Sequence, residues 1–133
     1  MTLVFDDILR PDQISVAQVV REQHARGESY DHAVLPDVVL YPESTEEVVA
    51  IVRKAYETGV PITPVGANSS LEGHTVPVHG GISLDLSKMN RVLAFAPEDF
   101  LIVVQAGVTY PQINEVARRS GLFFPIDPGA DAT

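Results

Sequence analysis

Two short apolar runs, at residues 38–41 and 61–65, are separated by a segment with helical periodicity, and this pattern constrains the fold more than any other feature. Each run is too short for a helix and has the length of a buried strand. Strands that are joined by a single helix run parallel, with a right-handed crossover. We therefore predict a β-α-β unit whose chemistry gathers at the carboxyl ends of its strands.

The helix of this unit has both of its ends marked in the sequence. Ser44 and Glu47 have the spacing of a capping box, and Gly59 is of the residue type that commonly ends helices. Between these ends, apolar residues recur at the spacing of one buried helix face. We expect that face to consist of Val48, Ile51, Val52 and Ala55.

Further strands are predicted after this unit. Residues 81–86 alternate apolar and polar side chains, as a third strand does, and we expect Asp85 to pair with Lys88 just beyond it. Residues 92–95 and 101–105 flank a proline-containing turn and predict an antiparallel hairpin. Parallel pairing is thus expected first along the chain, and antiparallel pairing later.

Two more helices are expected, one before these strands in the sequence and one after them. Residues 13–26 have a moderate helical pattern that ends near Gly27, and we expect this helix to pack against the core. Thr109 and Gln112 form a second capping box, and Gly121 ends the helix that follows. The buried stripe of that helix is predicted to be Ile113, Val116 and Ala117.

The chain returns to a strand at residues 122–125, where we expect Phe123 and Phe124 to lie in the core. The fold class is therefore α+β. We divide the chain into an N-terminal helical segment, residues 1–35, and a domain that occupies residues 36–133. The sequence stops at Thr133 without a closing element, so we expect this domain to continue in a longer protein.

Composition excludes several classes of function. Nine Lys and Arg residues against eighteen Asp and Glu give a formal net charge of -9, which disfavours nucleic acid as a partner. The chain has no cysteine, so disulfides and thiolate chemistry are excluded and a reducing compartment is favoured. No secretory signal and no apolar run of about 20 residues occurs. We expect a cytoplasmic protein, with peripheral membrane association left open as an alternative.

The loop between the second and third predicted strands is the main candidate for binding chemistry. It contains Gly66, Gly73 and a run of small or hydroxyl side chains at residues 67–70, which allow a phosphate group to approach backbone N–H donors. The P-loop and dinucleotide-fold glycine motifs are both missing. No Lys or Arg occurs in residues 55–87, so the backbone would have to supply the donors. A surface turn has the same composition, and both interpretations stay open at this point.

Five ordered motifs resemble one known family. They lie at residues 64–74, 80–90, 104–108, 121–125 and 127–130. In this order and spacing they are similar to the FAD-linked oxidases of the vanillyl-alcohol oxidase/p-cresol methylhydroxylase type. The resemblance is greatest to FAD-dependent D-lactate dehydrogenases, with the glycolate oxidase flavoprotein subunit as close kin, and it covers the chain from residue 36 to the end.

The resemblance implies the first subdomain of a p-cresol methylhydroxylase-type FAD-binding domain, with the start of its antiparallel second subdomain. It also implies non-covalent FAD, because Asn68 stands where covalently linked relatives have a histidine. The substrate domain of the family is not within these residues, and we assign no catalytic residue. The resemblance assigns cofactor binding to Pro64, Val65, Gly66, Ala67, Asn68, Ser69, Ser70, Gly73, His74, Pro128, Gly129 and Ala130.

Three ionisable residues of the loop have simpler explanations than catalysis. His74 and His79 are five positions apart in a loop, a spacing that fixes no metal geometry, so we predict no metal site. His74 is expected to line the flavin site or to make a structural hydrogen bond. Glu72 would be repelled by a diphosphate, so it is expected to fix the turn.

Two hypotheses about function follow. The first is the FAD-binding portion of a flavin-dependent D-2-hydroxyacid dehydrogenase or oxidase, acting on D-lactate or glycolate. The second is a non-catalytic FAD-binding module without activity of its own, for which homo-oligomerisation is left open. Another branch of the same fold, such as an enolpyruvyl reductase driven by a nicotinamide donor, is a third alternative.

Overall fold

A four-stranded mixed sheet organises the chain in the computed structural model, which describes residues 4–27, 33–69 and 71–125. In space the strands follow the order first, second, fourth, third. The fourth strand pairs in parallel with the second and the third, and the first strand pairs antiparallel with the second. These strands are β1 (Ile14–Ser15), β2 (Val38–Leu40), β3 (Ile62–Val65) and β4 (Ile82–Asp85). The predicted parallel direction is confirmed, with β4 inserted between the two strands of the β-α-β unit.

The crossover helix α1 of this unit spans Thr45–Thr58. Ser44 accepts a hydrogen bond from the N–H of Glu47 at 3.2 Å, and Gly59 ends the helix with a φ of 68°. Ile51 and Ala55 are buried as predicted, whereas Val52 is 46% exposed, so its place on the buried face was predicted wrongly. The face of α1 that contacts the sheet is narrow, and Val52 lies outside it.

The core lies between α1 and the sheet. Both faces of β4 are covered, so its polar residues Ser83 and Asp85 are buried beside Ile82 and Leu84. The predicted third strand is present, and its alternating apolar and polar residues are buried alike. The core cluster consists of Phe5, Leu9, Val38, Leu40, Ile51, Ala55, Ile82 and Leu84.

The N-terminal segment differs from its prediction. The helix expected at residues 13–26 is replaced by a 3-10 turn at Pro11–Gln13, the strand β1 and a helix of only six residues, Gln18–Gln23. No residue of this short helix is buried, and Val19 is 66% exposed, so the predicted packing face is wrong. Pairing of β1 with β2 overrides the weak helical pattern, and the buried contacts come from Phe5 and Leu9 instead.

The predicted hairpin is present. Strands β5 (Val92–Ala96) and β6 (Leu101–Val104) pair antiparallel as a separate two-stranded sheet, joined by a 3-10 turn at Pro97–Asp99. Phe100, which follows that turn, has a φ of 54°. The hairpin therefore closes through a left-handed residue that is not glycine.

The helix α2 (Tyr110–Ala117) follows the hairpin. Its predicted capping is supported by a 2.9 Å hydrogen bond from the N–H of Thr109 to Oε1 of Gln112. Ile113 and Ala117 are buried as predicted, and Val116 is half-buried. A 3-10 turn, Arg118–Ser120, extends the helix, and Gly121 ends it with a φ of 70°.

Two expectations about the later part of the chain are wrong. Residues 122–125 do not form a strand, since the N–H of Phe124 donates to the Asn114 side chain instead of a neighbouring strand, and Phe123 is 74% exposed. Lys88 does not pair with Asp85. Its ammonium group lies 3.8 Å from Asp12 and 3.9 Å from Glu43. No helix in the described ranges is long and apolar enough to cross a membrane.

Candidate functional site

The candidate loop begins where the two parallel strands β3 and β4 end together. Val65, the last residue of β3, is in register with Asp85, the last residue of β4. The N–H of Leu86 then donates to the carbonyl of Val65 at 2.9 Å. Gly66 therefore leaves the sheet at the carboxyl edge of parallel strands, where ligands bind in folds of this kind.

Two left-handed residues shape the loop. Asn68 has a φ of 56° and Gly73 a φ of 72°. Asn tolerates this conformation better than most residues, and turns of this kind let successive N–H groups converge on an anion. At Gly66 an added Cβ would meet no atom of the described residues within 4 Å, so the space in front of the loop's first residue is open. The backbone at Gly66 therefore leaves room for a bound group.

In the part of the chain that the structure describes, two buried polar atoms at the loop have no hydrogen-bond partner. The Asn68 amide donates to the carbonyl of Arg26 at 2.8 Å, which fixes its orientation and leaves Oδ1 buried and unpaired. Oγ1 of Thr75, in a side chain only 5% exposed, is also buried and unpaired. A buried unsatisfied group costs about 1–3 kcal/mol, so both atoms favour a ligand that bonds to them.

The N-terminal segment lies behind the loop, a contact that the sequence did not predict. Besides the bond from Asn68 to the carbonyl of Arg26, Gly27 packs against the loop's far side. A Cβ on Gly27 would lie 3.4 Å from Oγ1 of Thr75 and 3.9 Å from Cα of Gly73. Residues 26–27 therefore contact the loop before its turn, at Asn68, and after its turn, at Gly73 and Thr75.

A buried ion pair fixes this segment to the sheet. Nε2 of His24 lies 2.9 Å from Oδ2 of Asp85, and Nδ1 lies 2.8 Å from the carbonyl oxygen of Val20. Oδ1 of Asp85 accepts from the N–H of Ser87 at 2.8 Å, and the ring of Tyr41 meets the imidazole edge-on. Both ring nitrogens face acceptors, so the geometry favours the doubly protonated imidazolium.

Electrostatics agrees with that protonation state. The hydrogen bond to Asp85 raises the pKa of His24, and the contact with the Val20 carbonyl adds to this effect, against the opposing influence of burial. Burial opposes ionisation of Asp85, but hydrogen bonds from His24 and Ser87 outweigh it and leave the pKa of this carboxyl below its usual value. The partners are 61 positions apart, and no pattern in the sequence joins them.

The predicted cofactor residues occupy one stretch of structure where they are described. Pro64 and Val65 end β3; Gly66, Ala67, Asn68 and Ser69 follow directly, and Gly73 and His74 form the returning part of the loop. Ser70, Pro128, Gly129 and Ala130 lie outside the described residues. Glu72 and His74 both have interaction partners. Within the described ranges, no three His, Asp or Glu side chains come together as a metal site would require.

Comparison with known proteins identifies relatives along most of the chain. A family profile described as FAD binding domain matches residues 36–133. A probable mitochondrial D-lactate dehydrogenase of Danio rerio is 41% identical over 129 residues, which is 97% of this chain and 26% of the relative. The mitochondrial D-lactate dehydrogenase (cytochrome) of Arabidopsis thaliana is 44% identical over 106 residues, 79% of this chain and 19% of the relative.

A glycolate oxidase subunit, GlcD of Bacillus subtilis (strain 168), is 35% identical over 106 residues, 77% of this chain and 23% of the relative. Among solved structures, p-cresol methylhydroxylase superposes with a TM-score of 0.76 at 25% identity, over 89% of this chain and 24% of that one. The predicted fold class and family resemblance are confirmed. The chain spans only 19% to 26% of the length of these curated relatives.

Proposed function

The chain belongs to the FAD binding domain family, and on that basis we propose that its loop at residues 64–74 holds the diphosphate of FAD. One observation carries this proposal: the loop leaves the carboxyl edge of the parallel strands with open space at Gly66 and two unpaired buried polar atoms beside it. Lys and Arg are absent from residues 55–87, so backbone N–H groups and loop side chains are the donors we assign to the diphosphate.

The two unpaired atoms imply different contacts. Oδ1 of Asn68 can only accept a hydrogen bond, so we assign it to a hydroxyl or N–H of the cofactor and not to a phosphate oxygen. Oγ1 of Thr75 can donate or accept, and it suits either kind of partner. Asn68 offers no nucleophilic ring nitrogen, which supports non-covalent attachment of FAD. The contacts of Pro128, Gly129 and Ala130 with the flavin are proposed from the family resemblance alone.

We propose oxidation of a D-2-hydroxyacid, D-lactate or glycolate, as the reaction that this FAD site serves. FAD supplies the acceptor for the hydride that such a substrate gives up. The described residues contribute binding and orientation of the cofactor, and we assign none of them to the chemical step. Support comes from the relatives, two of which are named D-lactate dehydrogenases and one a glycolate oxidase subunit.

The alternative is a binding module that holds FAD without activity of its own. It is favoured because we assign none of the described residues to a chemical step. Adding D-lactate to the FAD-loaded protein under anaerobic conditions separates the two proposals. Bleaching of the flavin absorbance supports an active enzyme, while an unchanged spectrum, with the same preparation reducible by dithionite, supports the binding module.

A titration tests the cofactor site itself. Quenching of flavin fluorescence on addition of the protein should give saturable binding of FAD, and riboflavin, which lacks both phosphates, should bind at least about tenfold more weakly. Equal affinity for the two flavins would show that the loop does not recognise the diphosphate. Acid precipitation should release all bound flavin into the supernatant, whereas flavin that stays in the pellet contradicts non-covalent attachment.

A cytoplasmic location and self-association are also proposals. The lack of cysteine supports the cytoplasm, although two of the relatives carry mitochondrial names. Subcellular fractionation with a compartment marker decides the location. Light scattering of the purified protein over a range of concentrations decides whether it forms a homo-oligomer.

A further inference from the structure

We propose that residues 24–27, here called the clasp, belong to the FAD site, and that His24 is a positioning residue which sets the shape of the cofactor loop. The inference rests on the proposed FAD site and extends it to a segment that lies outside residues 36–133, the part matched by the family profile. The clasp itself contacts the loop from behind and is assigned no contact with the flavin.

The clasp is anchored at the position where the loop begins. His24 bonds to Asp85 at 2.9 Å, and Asp85 is the register partner of Val65, the residue before Gly66. The imidazole is held at its other nitrogen by the carbonyl of Val20, and the side chains of His24 and Asp85 are only 10% and 12% exposed. An ion pair that is buried and bonded at both ends fixes His24 more firmly than a surface pair does.

The other end of the clasp bonds to the loop. The Arg26 carbonyl accepts from the amide of Asn68 at 2.8 Å, and Gly27 packs beside Thr75. Two residues of extended chain span at most about 7 Å, so the position of His24 limits where the Arg26 carbonyl can lie. That carbonyl in turn fixes which way the Asn68 amide faces, and hence where its unpaired oxygen is directed.

His24→Gln tests the anchor. Glutamine can still donate to Asp85 but loses the positive charge and the second bond, so the clasp loosens while the core of the fold is untouched. We expect the Kd for FAD to rise by about tenfold. The matched control is His79→Gln, because His79 is exposed and should tolerate the change with an unaltered Kd. Affinities are compared at a temperature well below the unfolding midpoint of each variant.

A spectroscopic readout separates positioning from stability. In the free protein, the side-chain amide resonances of Asn68 should shift in His24→Gln and stay in place in His79→Gln. Unchanged Asn68 resonances together with an unchanged Kd would overturn the proposal. If the unaltered protein binds no FAD, the proposed function fails, and the Asn68 resonances still decide whether the clasp shapes the loop.

A second variant covers the case in which His24→Gln does not fold. Gly27→Val leaves the ion pair intact but places a branched side chain where even a Cβ would lie 3.4 Å from Oγ1 of Thr75. Residues 26–27 should be pushed from the loop, again weakening FAD binding by about tenfold. The combination with Asn68→Ser should weaken binding by less than the two single effects together, because displacement of residues 26–27 also breaks the bond between Arg26 and Asn68. Full additivity would contradict the clasp.

Discussion

The sheet unit (β1–β4 with α1) and the hairpin unit (residues 92–125) bury their apolar side chains to very different degrees. In the sheet unit Leu40, Ile51 and Ile82 are 0% exposed. In the hairpin unit Phe100 is 81% and Phe123 74% exposed. The difference shows that an apolar strand sequence does not by itself make a core. Both faces of β4 are covered, whereas the described hairpin strands keep Leu93, Leu101 and Val103 exposed.

Hydrogen bonds and backbone contacts join the hairpin unit to the sheet unit. The N–H of Gln105 donates to the carbonyl of Arg91 at 2.9 Å, and the N–H of Arg91 donates to Oε1 of the buried Gln105 side chain at 3.0 Å. The N–H of Gly107 donates to the carbonyl of Met89 at 2.9 Å. A Cβ at Gly107 would overlap the carbonyl of Leu86, so the backbones approach closely there. A two-stranded sheet is marginally stable alone. An apolar groove of about 390 Å³ lies beside Phe100, so part of the hairpin unit's apolar surface is left uncovered. This too indicates low stability of the hairpin unit by itself.

The largest predicted effect is the loss of stability on truncating a core residue of the sheet unit. Ile82→Ala should lower the free energy of unfolding by about 2–5 kcal/mol, because the central strand cannot collapse around the cavity. Val103→Ala in the hairpin unit is the matched truncation and should cost about 0.5 kcal/mol or less, since Val103 is 42% exposed. Urea unfolding followed by circular dichroism measures both. Equal losses of unfolding free energy in the two variants would show that the two units do not differ in how much their apolar side chains stabilise the fold.

The pH dependence of stability should come from the ion pair between His24 and Asp85, which fixes the N-terminal segment to β4 of the sheet unit. The pKa of His24 is raised, so its contribution is complete below its ordinary value of 6.5 and is lost as the pH rises through the folded-state pKa. The pKa of Asp85 is lowered, so its contribution is complete above 3.8 and is lost as the pH falls through the folded-state pKa. The pair therefore stabilises the protein most between these two ordinary values.

The measurement is the free energy of unfolding at about pH 5.5 and about pH 9. The unaltered protein should be less stable at the higher pH, by less than the loss caused by Ile82→Ala. Asp85→Asn should remove most of this pH dependence, because an uncharged partner no longer favours the imidazolium. A decline of the same size in Asp85→Asn would assign the effect to other groups, such as the α-amino group.

Local sequence signals correctly predicted the elements that depend only on residues close by in the chain. The cap at Ser44, the left-handed stop at Gly59 and the hairpin around Pro97–Asp99 depend on neighbouring residues, and all three were found. The short helix Gln18–Gln23 depends on which strand pairs with which, and it was wrongly predicted as part of a longer helix. The burial of Ser83 depends on the same pairing, and no local pattern in the sequence indicates it. The periodicity of a sequence shows which side chains are apolar. It does not show which other parts of the structure will pack against them.

The site was predictable to the same limited extent. The loop follows β3 as expected, because small residues and glycine after a strand are a local signal. The contacts that hold it were not predictable: Asn68 meets Arg26 across 42 positions, and His24 meets Asp85 across 61. The N-terminal segment thus contains residues that contact the loop and the sheet, and no local signal in the sequence marks them for these contacts.

The smallest predicted effect concerns the turn of the hairpin unit. Phe100 holds a φ of 54° with a side chain 81% exposed, so it has backbone strain and little burial to offset it. Phe100→Asn should raise the free energy of unfolding by about 0.5 kcal/mol, because asparagine adopts left-handed conformations more readily. Phe100→Ala, which removes the ring without that preference, should give no gain. If both variants lower the urea midpoint equally, the contact of the Phe100 ring with the groove stabilises the protein more than the backbone strain at Phe100 destabilises it. The hairpin unit would then have more apolar stabilisation than its exposed side chains indicate.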